Sequence, residues 1–193
     1  MATPPERDRF VRSMLVIGLV GLCGIAVGAW RLATAPSSQK VISQLPKDGH
    51  QLVAVYIGSS DCQGSKIKGF AEVERRTMDA LARMARSEGA QFVTIGVAVD
   101  PTRRLGAEYL EKFGPFDMTI SGGGWMNPGA VQYVWRDHPG DGTIPQIVVL
   151  RRTVEVPPRG VVVSPDSVLG RLIGIEGMEA FLQREERAVA TSN

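Results

Sequence analysis

The sequence predicts an α/β domain with a mixed sheet flanked by helices, preceded by one N-terminal transmembrane helix. Three observations carry that prediction. Residues Ser13–Trp30 (SMLVIGLVGLCGIAVGAW) form an uncharged run between Arg12 and Arg31. From Gln51 onward, apolar strand-like runs alternate with amphipathic helical stretches, the pattern of an α/β sheet. The stretch holding that alternation, 50–187, is long enough for one domain with its own core.

About 20 apolar residues at 1.5 Å rise cross a hydrocarbon core of roughly 30 Å, and Val11 and Leu32 extend the run. A cleaved signal peptide is the first competitor, since such segments carry about 7–15 apolar residues before a small-x-small site. Ala33-Thr34-Ala35 fits the site, but the run is longer and Pro36 would follow the cut. A lipoprotein signal would use Cys23, yet bulky Leu22 precedes it. The expectation is a retained anchor at 13–32 behind a short tail, 1–12, in a single-pass protein of the cytoplasmic membrane. Arg7, Arg9 and Arg12 precede the span, while Arg31 and Lys40 follow it. That balance slightly favours a cytoplasmic N-terminus, with the domain on the periplasmic or extracytoplasmic side.

Gly18, Gly21, Gly24 and Gly28 fall within about 120° of arc on this helix at 100° per residue. Small residues along one face permit close helix approach in lipid. The stripe therefore suits packing against other subunits of a membrane complex. Glycine is also simply common in membrane helices, and both accounts stand. Cys23 points away from the stripe and reads as a small apolar residue.

Residues 33–49 (ATAPSSQKVISQLPKDG) are polar and proline-punctuated, as a tether would be. The formal net charge is +2 with acids and bases interspersed, so nothing marks a nucleic-acid surface. There are two cysteines, one inside the span, which excludes a disulfide framework and a cysteine-rich zinc site. No metal and no other cofactor is expected.

The elements follow in order. Gln51–Ile57 (QLVAVYI) is a β-rich run ending in the turn Gly58-Ser59-Ser60-Asp61. A helix is predicted from about Cys62 to Ser87, with Ile67, Phe70, Ala71, Met78, Leu81, Ala82 and Ala85 on one face. Gln91–Val99 (QFVTIGVAV) has the unbroken apolarity of a buried parallel strand. Asp100-Pro101 reads as an N-cap and first helical residue, for a helix ending near Gly114. A short strand at Phe116–Ile120 and a glycine turn at Gly122–Gly124 come next. That turn lacks the Gly-Lys-Ser/Thr ending of a phosphate loop. An amphipathic helix near Ala130–Arg136, the loop His138–Ile144 and a strand at Gln146–Leu150 continue the chain. Extended chain through Val163, a closing helix around Glu176–Arg187 and a tail, 188–193, complete it.

Two places carry the chemistry. A strand runs into Ser60-Asp61-Cys62-Gln63-Gly64-Ser65-Lys66, and Thr143-Ile144-Pro145 stands directly before a later apolar strand. In that order and spacing the chain resembles the thioredoxin-like superfamily, over about Gln51 to Gln183. The resemblance implies that Cys62 matches the nucleophilic first cysteine of C-x-x-C. It implies that Pro145 matches the cis-proline, and that the backbone at Ile144 contacts substrate chain. The second cysteine is replaced by Ser65, and the usual aromatic residue before the first by Asp61. Dithiol turnover needs a second thiol to attack the mixed disulfide and release substrate, so that cycle is not expected.

Cys62 is then either a packing residue or a single exchanging thiol. A helix N-terminus with Lys66 and Lys68 nearby would favour its thiolate, and Asp61 would oppose it. His138 could approach Cys62, but a Cys–His copper site of the superfamily's membrane-anchored chaperones would want a second cysteine. His50 is expected in solvent; Trp125, Tyr133 and Trp135 could form an exposed aromatic patch, but at least two of them are expected in the core. The preferred function is an accessory or scaffold subunit of a membrane complex, bound to the bilayer and to other subunits, with no dithiol redox activity. The alternative is a monothiol disulfide-exchange protein using Cys62 at the extracytoplasmic membrane surface.

Overall fold

The computed structural model describes residues 48–191. The anchor expected at 13–32, its glycine stripe and Cys23 lie outside the described residues. Among those described, no helix is long and apolar enough to cross a membrane.

Six strands form one mixed sheet. β1 (Gly49–Gly58) is central: it pairs in parallel with β2 (Gln91–Ala98) and antiparallel with β4 (Gln146–Glu155). β3 (Met118–Ser121) continues the parallel side beyond β2. On the other side, β5 (Val162–Val163) and β6 (Ser167–Ile173) both pair antiparallel with β4, β6 with a register shift at Val149/Leu150. Three helices are the main ones: α1 (Phe70–Ser87), α2 (Arg103–Leu110) and α3 (Gly174–Thr191).

β1 is apolar without alternation because both of its faces are covered. Side chains alternate across a strand, so Leu52, Ala54 and Tyr56 join one core with Phe70, Leu81 and Ala85 of α1 and Met178, Phe181 and Leu182 of α3. Val53, Val55 and Ile57 join the opposite core with Ile95, Val97, Ala130, Tyr133, Val134, Val148 and Leu150. The fold class expected for the globular part, a mixed α/β sheet flanked by helices and consistent with a thioredoxin-like fold, is what the chain forms.

Local details differ from the sequence-based expectations. The first helix does not begin at Cys62. A single 3-10 turn, Gly64–Lys66, comes first, and α1 starts only at Phe70 after Gly69 at φ +87°. Few residues other than glycine tolerate that backbone, so Gly69 separates the turn from the helix. The second helix is capped by Thr102, whose side chain accepts from Leu105 N, and not by Asp100. The Ala130–Arg136 segment is a helical turn, Pro128–Ala130, running into a π-helical stretch, Val131–Arg136. The closing helix extends past its expected limits at both ends.

Candidate functional site

The ends of β1 and β2 and the loop before β4 meet where the parallel strands stop. β1 delivers Ser59 and Ser60 into a turn closed by Cys62 N donating to Ser59 O at 3.1 Å. Val99 N donates to Gly58 O at 2.9 Å, which ties the end of β2 to the same turn. Asp100, fully buried, accepts from Ser60 N at 3.2 Å and from the Ser60 hydroxyl. A buried carboxylate needs such donors to offset its lost hydration. The residue read as a helix cap thus anchors the cysteine turn instead. The Gly122–Gly124 turn joins from the other side: Gly124 N donates to Asp100 O at 3.1 Å, and all three glycines have positive φ.

Cys62 is partly exposed and is the one cysteine among the described residues. Its Sγ donates to Ile144 O at 3.1 Å across 82 positions of sequence. The Ile144–Pro145 peptide bond is cis. Gly64 lies flat against the proline: a Cβ there would sit 2.7 Å from Pro145 Cδ and 3.6 Å from Cys62 Sγ. Close approach therefore requires glycine at 64, a signal present in the sequence that the motif comparison passed over. Cys62, Ile144 and Pro145 are brought together. The four glycines at 18, 21, 24 and 28 fall outside the described residues.

Ser65 Oγ donates to Cys62 O at 2.9 Å, so the hydroxyl three positions after the cysteine is turned back on the cysteine's own carbonyl. Close by lies a buried tyrosine pair, with the hydroxyls of Tyr56 and Tyr109 2.6 Å apart. Burial pushes both phenols up from their ordinary value. Tyr109 also presses its ring and hydroxyl against Gly58, where no Cβ would fit. Beside this pair Glu74 is 1 % exposed, with Oε1 lacking any hydrogen-bond partner. Desolvation, helped by the charge of Asp79, raises its carboxyl to about 8, so it is mostly neutral at pH 7.

The loop that carries Ile144 and Pro145 is fixed from β6. Arg171 donates through Nη2 to Tyr133 O at 2.9 Å and to His138 O, and through Nη1 to Gln146 Oε1 at 2.9 Å. Gln146, fully buried, donates on to Asp141 O and Thr143 O, each at 2.8 Å. Gly140 leaves the space that the guanidinium fills. Nothing in the order of residues announced this clamp, because Arg171 comes 25 positions after Gln146.

His138 is engaged by Asp166 and Tyr133. Its Nε2 lies 3.2 Å from Asp166 Oδ2 and its ring stacks on Tyr133. Among the described residues no three of His, Cys, Asp and Glu converge to hold a metal ion. His50 is exposed, with Nδ1 3.0 Å from Thr153 Oγ1. Of the three aromatics expected largely in the core, only Tyr133 is there. Trp125 and Trp135 are 36 % and 51 % exposed and meet edge-on at 5.7 Å.

No protein-family model matches the sequence, and no curated protein matches it. Among the solved structures that resemble it in part are two Sco proteins. The copper-bound ScoI of Arabidopsis thaliana is 14% identical over 72% of this chain and 85% of that one, with a TM-score of 0.34. BsSco, from a study of its disulfide switch and described as one of the Sco family of cytochrome c oxidase assembly proteins, is 15% identical over 72% of this chain and 80% of that one, with a TM-score of 0.32.

Proposed function

We propose that this chain is a membrane-anchored accessory subunit whose thioredoxin-like domain binds a partner polypeptide at the Cys62–Pro145 edge and runs no dithiol cycle. The observation that carries this is Ser65. It occupies the resolving position, is bonded to Cys62 O at 2.9 Å, and leaves no second thiol among the described residues. The uncharged run at 13–32 supplies the anchor in this reading.

A second reading is supported by the partial exposure of Cys62 beside Ile144 O. In it the Cys62 thiolate attacks a partner disulfide, one partner sulfur leaves as thiolate, and an external thiol later attacks the mixed disulfide to free Cys62. Acid trapping and non-reducing gels separate the two. The subunit reading expects no Cys62-dependent adducts, with Cys62→Ser leaving partner binding intact. Abundant adducts lost in Cys62→Ser would establish the exchanger and overturn it.

A further inference from the structure

The edge of the sheet farthest from Cys62 carries an aliphatic patch that the site does not use. β4 and β5 join through a hairpin whose tip, Val156-Pro157-Pro158-Arg159-Gly160-Val161, projects past the sheet. Val156, Val161, Val162 and Val163 are 41, 44, 55 and 46 % exposed. Exposed aliphatic residues clustered this closely mark an interaction surface. Arg159 is the one charged residue between Val156 and Pro165.

Where the preceding chain enters decides what this surface meets. The first described residue, Asp48, accepts through its carboxylate from Val156 N, and Gly49 pairs with Val154. The chain thus enters the domain at the base of this hairpin. Only the stretch from Leu32 to Asp48 separates that point from the predicted anchor, and a chain spans at most roughly 3.5 Å per residue. An added β-strand is a poor occupant, because β5 has two residues and Pro157, Pro158 and Pro165 flank it. Valines around a single arginine suit a lipid–water interface, where the aliphatic groups enter and the guanidinium stays with the headgroups.

We propose that the β4–β5 hairpin tip rests in the surface of the bilayer that holds the N-terminal anchor, and so turns the Cys62 edge away from the membrane. This rests on the anchor reading above. The test uses the full chain with Cys23→Ala and Cys62→Ala, carrying Val162→Cys labelled with a fluorophore, in phosphatidylcholine–phosphatidylglycerol vesicles. Flotation with the vesicles reads the anchor; quenching reads the hairpin. The expected result is flotation, with the label quenched by lipid-borne doxyl groups and shielded from aqueous iodide. A second label at exposed Lys68 on the Cys62 side, introduced as Lys68→Cys, should show the opposite pattern. Flotation with iodide quenching and no doxyl quenching at 162 would overturn the proposal and leave the anchor standing. Crosslinking from 162 to a second copy, in place of doxyl quenching, would overturn it in favour of a dimer edge. Failure to float would remove the anchor and this proposal together.

Discussion

Two side chains next to the cysteine turn behave in ways that can be measured. Ser65 lies one 3-10 turn after Cys62 with its Oγ bonded to Cys62 O, so its side chain already points back along the turn. We expect Ser65→Cys to form an internal disulfide with Cys62 under mild oxidant, read as loss of both thiols to alkylation; two thiols that stay free would contradict this geometry. Glu74 gives a pH prediction. Its carboxyl lies near 4.5 when unfolded and is raised to about 8 by burial and by Asp79. Between those values the unfolded chain releases a proton that the folded chain keeps, so Glu74 lowers stability as pH rises, and above about 8 the loss is complete. Glu74→Gln removes that slope. By denaturant unfolding, the variant should match wild type near pH 4 and exceed it near pH 8, by on the order of a few kcal/mol. An unchanged pH dependence would mean that Glu74 finds water or a partner.

At the scale of elements, the loop His138–Ile144 is held by side chains more than by its own backbone. Arg171 on β6 and buried Gln146 satisfy the carbonyls of Tyr133, His138, Asp141 and Thr143. A lysine at 171 cannot reach both carbonyls and the Gln146 amide from one planar group. We expect Arg171→Lys to cost about 1–3 kcal/mol, since buried carbonyls lose their donors. Amide exchange in 139–144 should accelerate first, and equal exchange there would show that the loop holds itself. This scale also separates what was legible from what was not. β1, β2 and β4 were legible because their apolar runs follow from burial on both faces. The start of α1 was not, because the apolar positions from Ile67 onward continue a helical pattern straight through Gly69. Asp100 misled for a related reason: Asp-Pro suits an N-cap, but the buried carboxylate is satisfied by Ser60, 40 residues earlier. Trp125 and Trp135 misled through composition alone, since large aromatics are usually buried and these two lie on the surface.

At the scale of the whole described domain, β1 sets the distance between the point where the chain enters and the Cys62 turn. Its first residue, Gly49, lies beside the hairpin where the chain enters, and its last, Gly58, opens the turn to Cys62. At about 3.3 Å per residue, those ends stand roughly 30 Å apart. The pairing of Cys62 with Ile144 and Pro145 was legible in order and spacing, because the resemblance read from those residues predicts both ends of the contact. The clamp and the tyrosine pair were not, since both are made by residues far apart in sequence and ordinary in type. In the subunit reading proposed above, the partner is held without a disulfide. Replacing Gly24 and Gly28 by leucine should then weaken association, as bulky side chains keep helices apart in lipid. The most direct test is co-purification of the full chain from membranes in mild detergent, comparing wild type with Cys62→Ser. The subunit reading predicts a partner at fixed stoichiometry, retained by Cys62→Ser and free of Cys62-linked adducts. No stable partner, together with Cys62-dependent mixed disulfides in wild type, would contradict it.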